Sequence, residues 1–396
     1  MRFRLRRAAA AAVGLVVLAG MAACGGSGGD TSDYGPYSGK PSTSDFDQKP
    51  SKARGMLVES LRLGEHIMYA TDIDPEIGMG RGGGVFADRL GLGLGDSVIS
   101  APETRAANGH DPLAAFGAMA ASKSYADYTA GKPQKFLATS LVEFPDEAAA
   151  SAAAADMDRA DFEANADNVP VAVDAFPAAI SHWRPGIPTL GSTMAYKSLV
   201  IRVYVQSLDP DLGTLVDMVT RSYRRQIDLL ANYTPTPSAD LPKLQLDPGK
   251  LLPRTVLTDD PMPTAMKFAV WGVHAYSALL DSPAEDAKAN AEHGINTVAV
   301  SYNKRLFKMR DATAAKNYAG YLDGQPGDTE YIPIRGVSGL PDVACRQLSK
   351  PSKNLEARRF RCVMFRGEYV ATVYSNTDID LRQLAGAQYS VMGGTV

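Results

Sequence analysis

Five histidines, a Gly-Asp-Ser triplet, a glycine run and two acidic clusters are the places in this chain where residue type and spacing could support chemistry. The histidines are His66, His110, His182, His274 and His293. No two stand four apart and none lies in a His-Glu-x-x-His helix, so the spacing of a zinc hydrolase is missing. Gly64-Glu65-His66 and Gly272-Val273-His274 repeat one small pattern, which reads as packing or surface. Gly95-Asp96-Ser97 has the order of a nucleophilic serine in one esterase class. That chemistry also needs an acid three residues before a late histidine, and Asn290 stands there before His293. Gly80-Arg81-Gly82-Gly83-Gly84 is glycine-rich, but a phosphate cradle needs a strand before it, a helix after it and a Lys-Ser/Thr pair. It reads as a loop or as a close approach of two backbones. Asp72-Ile73-Asp74-Pro75-Glu76 and Asp378-Ile379-Asp380 lack the oxygen spacing of a calcium loop. The first reads as a solvated turn and the second as a turn with a helix cap. Trp183 and Trp271 read as core or groove-lining rings. No catalytic residue, no metal and no cofactor is therefore assigned.

The three cysteines divide into two chemistries. Cys24 follows Ala22-Ala23, behind an arginine-bearing start (Arg2, Arg4, Arg6, Arg7) and an apolar run from Ala8 to Ala19. This is a secretory signal, residues 1–23, with a cysteine at its cleavage point. Such a thiol is the acceptor for lipidation, so Cys24 is expected to become a diacylated first residue anchored to the outer face of the cell membrane. Plain secretion with a free Cys24 and a retained helix are the competing readings. Cys345 and Cys362 remain, and an even pair in an exported chain reads as a disulfide, with two buried thiols as the alternative.

Elements must position these residues. Residues 24–50 are rich in Gly, Ser, Thr, Asp and Pro and read as a disordered tether. An N-terminal domain is expected over 51–233, a proline-rich linker over 234–263 and a C-terminal domain over 264–396. Leu212, Leu215, Val216, Val219, Tyr223, Ile227 and Leu230 keep a helical period over about 211–232. The segment from about Ser51 to Ala70 reads as a helix with Leu57, Leu61 and Met68 on one face. Leu199, Ile201, Val203 and Val205 alternate as a strand with a common core face, Arg202 pointing the other way. Phe360–Phe365 and Tyr369–Tyr374 flank Arg366-Gly367-Glu368 as a hairpin. Residues 71–131 carry no readable topology.

The two halves echo one another. Ser140 to Ala149 resembles Arg305 to Ala315, each a strand running into an Asp that can cap an Ala-rich helix. Phe176–Ser181 lines up with Leu340–Cys345, and Val203-Tyr204 with Val373-Tyr374. The order suggests a duplicated α+β fold. Each domain is expected as a small antiparallel sheet with helices on one face, a ferredoxin-like split β-α-β plait, the second domain carrying the disulfide.

With Ala22-Ala23-Cys24, the polar tether, Phe144-Pro145-Asp146-Glu147-Ala148-Ala149, and the Cys345/Cys362 pair around Arg366-Gly367-Glu368-Tyr369-Val370-Ala371, the chain resembles a family of uncharacterised lipoproteins of mycolate-bearing actinobacteria. The resemblance covers most of the mature chain. It implies an envelope location and two α+β domains, and it supplies no catalytic residues.

Composition narrows the partners. The 396 residues are 45% hydrophobic with a formal charge of −3, and loss of the four leader arginines leaves about −7. That balance argues against nucleic acid. The expected partners are the membrane, through the lipid anchor, and an unidentified envelope protein, lipid or glycan. The leading expectation is a non-enzymatic binding or interaction module with its ligand in a cleft between the domains. A hydrolase of envelope lipid or glycan, and a spacer in a membrane complex, are the alternatives.

Overall fold

A computed structural model describes residues 33–86, 98–258, 263–324, 331–350 and 358–396. The first half runs α1 (Lys52–Gly64), β1 (Met79–Val85), α2 (Ala101–Asn108), β2 (Ala114–Ala121), α3 (Tyr125–Thr129) and β3 (Phe136–Glu143). It continues with α4 (Glu147–Phe162), β4 (Val169–Val171), β5 (Ile180–Trp183), β6 (Thr189–Tyr196), β7 (Leu199–Gln206) and α5 (Leu212–Leu230). The second half runs β8 (Phe268–Trp271), α6 (Val273–Ser277), α7 (Pro283–Glu292), β9 (Ile295–Ser301), β10 (Lys304–Met309) and α8 (Ala312–Asp323). Then come β11 (Tyr331–Ile334), β12 (Val343–Leu348), β13 (Phe360–Arg366), β14 (Tyr369–Ser375) and α9 (Asp378–Met392).

Each half folds into a seven-stranded antiparallel sheet with helices, so the chain is two tandem α+β domains. The orders are β1-β2-β3-β7-β6-β5-β4 and, read from the other edge, β8-β9-β10-β14-β13-β12-β11. Strand by strand these are one topology used twice. The registers agree as well: Thr139 and Ser192 both pair with Val203, and Lys304 and Cys362 both pair with Val373. Asp146 and Asp311 cap their helices alike, each side chain accepting from the amide three residues on. The capping aspartate at Asp211 does the same for α5, where such a cap contributes about 1 kcal/mol.

Helices cover both faces of the first sheet, a departure from the one-sided plait. Leu199, Ile201, Val203 and Val205 pack with α1 and α5 in the main core. On the other face Val200, Val142 and Ala115 pack with Ala107 of α2 and Ala150, Ala153, Ala154 and Met157 of α4. The alternation of the strands accounts for this, since seven paired strands present two faces and Val142 and Val200 make the second one apolar. The main core continues without a break into the second sheet.

Two stretches with loop-like composition are packed. From Tyr34 the chain lies on the folded body rather than trailing as a tether: Tyr37 donates to Asp380 (2.5 Å), Phe46 meets Phe268 edge-on at 4.9 Å, and Asp47 accepts from the amides of Leu246 and Asp247. Arg54, itself buried, reaches the carbonyls of Phe46 and Lys49. In the proline-rich connector, Leu241, Leu246, Leu251, Leu252 and Val256 are all buried. Composition misleads here because a few spaced apolar and hydrogen-bonding residues are enough to dock a segment on a surface supplied by the rest of the fold. At one outer edge of each sheet lies a short strand with a proline inside it, Pro170 in β4 and Pro333 in β11.

Candidate functional site

The duplicated topology allows each half to be compared with the other. One pair of positions differs by a single element. Ser181 faces Ser192 across β5 and β6, with their hydroxyls 2.6 Å apart, and Cys345 faces Cys362 across β12 and β13 as the disulfide. The next residue along is also equivalent. His182 bonds Asp158 of α4 at 3.0 Å, and Arg346 bonds Asp323 of α8 at 2.7 Å. Both aspartates stand the same number of residues beyond their capping aspartates. A cation on the fifth strand clasping the long helix is thus common to both copies and belongs to the scaffold.

The first half holds a cavity of about 220 Å³ on the face shared with α2 and α4. Its walls are two cross-strand rows. Met119, Ala138 and Tyr204 form the outer row, and Ser140 and Arg202 form the inner one, which Gly117 continues beyond the cavity. Phe136, Val98, Ile99 and Ser100 complete the rim, with Glu103 and Asp161 beside Arg202. Gly117 is required in the inner row because a Cβ there would sit 2.7 Å from the Val98 side chain. The cavity exists because the β2–β3 hairpin is long. In the second half the matching strands end at Ser301 and Lys304 and turn through Tyr302, whose φ is +53°. In the first half they run past the matching pair Ala118 and Thr139 as far as Ala121 and Phe136. The second copy also fills the equivalent face with rings. Tyr318 stands where α4 has Ala153, and it packs on Phe307, which in turn meets Tyr276. Its guanidinium comes from Arg305, at the position of Ser140, while Thr372 stands at the position of Arg202.

The floor of the cavity is a buried charge network. Arg202 donates from Nε to Glu103 (2.6 Å), from Nη2 to Asp161 (2.9 Å) and from Nη1 to the Val203 carbonyl (2.7 Å). Burial disfavours that guanidinium's charge, but Glu103 and Asp161 together raise its pKa. Glu103 also closes a capping box, its other oxygen accepting from the Ser100 amide. Burial pushes Asp161 up, and His182 and Arg202 outweigh it and hold Asp161 below the usual carboxylate range. Burial lowers His182, yet Asp158 and Asp161 carry it to about 9. At neutral pH this imidazole is therefore a cation held between two carboxylates, not a general base.

Cys24 and Gly95-Asp96-Ser97 lie outside the described residues. Cys345 and Cys362 are bonded. The glycine run is β1 and provides a close backbone approach: a Cβ on Gly80 would lie 2.0 Å from the Leu280 carbonyl, and the Gly80 amide donates to Asp281. Asp74 and Glu76 hold Lys135, and Asp72 holds Arg225. Asp378 pairs with Arg382, and Asp380 takes Ser375 and Tyr37. His66 bonds the Leu229 carbonyl and His110 bonds Asp156. His274 bonds the Ile67 carbonyl and stacks on Tyr69, and His293 lies against Tyr321. The two Gly-x-His patterns meet at the junction of the halves, where Glu65 accepts from the Ala275 amide. Trp271 and Phe116 fill that junction edge-to-face, so the cavity lies inside the first domain and not in the expected cleft. Among the described residues no three His, Cys, Asp or Glu side chains converge to hold a metal, and no helix is long and apolar enough to cross a membrane.

A second buried cluster escaped sequence reasoning. Glu59 of α1 and Glu143 of β3, both almost fully buried, share the hydroxyl of Tyr233, at 2.8 and 2.5 Å. Glu59 also takes Arg62, the Thr236 amide and the Thr236 hydroxyl. Burial carries Glu143 up to about 7, helped by the negative charge of Glu59 and opposed by the Tyr233 bond. These residues come from three distant segments, so no local spacing betrays them.

Family models described as the N-terminal and C-terminal parts of a domain of unknown function, DUF7373, match residues 46–246 and 251–394. No curated protein matches the chain. Among solved structures, the extracellular domain of PknH from Mycobacterium tuberculosis is similar at 10% identity over 42% of this chain and 96% of that one. Its TM-score is 0.28, too low to carry structural weight.

Proposed function

The chain belongs to the DUF7373 family, and from that premise we propose that it is a lipid-anchored component of the cell envelope that acts by binding rather than by catalysis. The location rests on the leader ending in Ala22-Ala23-Cys24, which would place a diacylated Cys24 in the outer face of the cell membrane with the folded domains outside. The affinity with lipoproteins of mycolate-bearing actinobacteria is part of the same reading. The observation that carries the binding role is the cavity itself: of two copies of one fold, the first extends its β2–β3 hairpin and holds there an apolar-walled hollow over charged groups. Pockets with apolar walls and a few convergent polar groups are where small ligands sit. A hydrolytic role is less well supported, because the one histidine near the cavity is held as a cation and the others are tied to carbonyls, Asp156 or aromatic rings.

Two measurements test this. Intact-mass analysis of the membrane fraction should find a chain beginning at Cys24 with acyl mass added, and an unmodified cysteine or a missing protein would overturn the location. Native mass spectrometry of protein released gently from envelopes should show a small adduct that is lost when Ala138→Leu fills the cavity. An adduct-free wild type would count against the binding role.

A further inference from the structure

We propose that the cavity of the first domain takes a small organic cation, an amine or ammonium group on an apolar body of a few carbons. This rests on the reading that the cavity binds a ligand and names the class of that ligand.

The charge network under the cavity sets Glu103, Asp158 and Asp161 against Arg202 and the protonated His182, so it carries one excess negative charge. Arg202 does not offer its charge to a ligand, because it is clamped by both carboxylates and by the Val203 carbonyl. Both oxygens of Glu103 are taken, one by Arg202 and one by the Ser100 amide. Asp161 uses Oδ2 for Arg202 and His182. Among the described residues nothing bonds to its Oδ1. The Asp161 side chain is partly exposed, and a carboxylate oxygen can only accept, so a ligand group that meets Oδ1 there must donate. An anion would bring further negative charge into a lining already in deficit, and a low-dielectric wall makes that costly.

The remaining surface sets the body of the ligand. Val98, Ile99, Met119 and Ala138 are aliphatic, and Phe136 and Tyr204 meet at 6.1 Å, ring edge to ring face, on the rim. Aliphatic and aromatic walls suit a hydrocarbon chain, and aromatic faces tolerate a neighbouring cation. The volume limits size. A cavity of about 220 Å³, at about 30 Å³ of liquid volume per water-sized group, holds roughly seven non-hydrogen atoms. The second domain supports the assignment by contrast, since it retains the scaffold clasp (Arg346 to Asp323) but has Thr372 where Arg202 stands, and its hairpin turns at Tyr302 before any row equivalent to Met119 and Ala138.

The probes are n-butylammonium, n-butanol and n-butyrate. They share a chain and differ in head-group charge. Each is titrated into the full-length protein in nanodiscs, reading the ¹³C-methyl resonance of Met119 by NMR. The expected result is saturable binding of n-butylammonium at least tenfold tighter than n-butyrate, weakened at least tenfold by Asp161→Asn. Because Asp161 also bonds Arg202 and His182, Ala138→Leu serves as a second variant that blocks the cavity without touching a charge, and it should abolish the shift. If n-butanol or n-butyrate binds as tightly as the ammonium, the charge assignment is wrong while a cavity ligand still stands. If no probe moves Met119, the cation is excluded, and the wider binding role is then judged by the adduct measurement above.

Discussion

Glu143 provides the sharpest quantitative test. In the folded protein its carboxyl is walled in, and among the described residues its one side-chain partner is the Tyr233 hydroxyl, which also bonds Glu59. With Glu143 protonated the chain of donors is complete: Glu143 donates to Tyr233, Tyr233 donates to Glu59, and Glu59 takes Arg62 as well. Once Glu143 is ionised, one hydroxyl proton must serve two buried carboxylates. The fold therefore holds the proton, and the pKa rises from 4.5 to about 7. That difference corresponds to about 3 kcal/mol. The folded value lies above the unfolded one, so this stability is fully present below about 4.5 and is lost as pH rises through about 7. Glu143→Gln keeps the shape and a donor but cannot ionise. Urea unfolding of both proteins at pH 5 and pH 8 should show the difference in stability moving in favour of the variant by about 2–3 kcal/mol across that interval. Other titrating groups cancel in the comparison. A difference that stays constant with pH would mean that Glu143 does not carry the proton and that the reasoning about the triad is wrong.

Three further outcomes are expected. Replacing both Cys345 and Cys362 with Ser should cost about 3 kcal/mol, seen as a lower Tm that reductant no longer changes, since the bridge closes a loop with a separation of 17. The double change Ser181→Cys and Ser192→Cys should form a bond spontaneously under oxidising conditions, because the pair occupies the register of the natural bridge; free thiols by mass spectrometry would contradict the equivalence of the halves. Arg202→Met should destabilise by about 3–5 kcal/mol in chemical unfolding, because Glu103 and Asp161 are left buried without their cation.

Much of the architecture was readable from local pattern. The duplication, the two capping aspartates, the strand from Leu199, the hairpin around Gly367 and the Cys345–Cys362 pairing all rest on periodicity or on residue types with narrow uses, and all recur in the structure. The unreadable stretch 71–131 contains β1, whose glycines serve a close approach to Leu280, and β2, an alanine-rich strand with little β-propensity of its own. Tertiary pairing decides such segments. The cavity was hidden for a related reason. Glu103, Asp161, His182 and Arg202 come from four elements, and each alone has an ordinary explanation as cap, surface acid or strand residue. Arg202 was expected to leave the core face, which it does, but α2 and α4 bury the face it joins. The helical burial of a second sheet face is a property of the assembled layers, and no short window of sequence contains it.

The prolines at 170 and 333 bear on how this molecule can assemble with others. A bare sheet margin invites any extended chain to zip alongside it, but an imide nitrogen in the middle of the margin leaves a missing rung in the ladder. Both copies present such a margin, β4 in one and β11 in the other. Recruitment of a partner by strand donation is thereby discouraged at those two rims, and a crowded surface of such molecules resists stitching itself into fibrils there. A protein partner is then more readily received on side-chain surfaces, whose shape and charge can be selective in a way that a row of amides cannot.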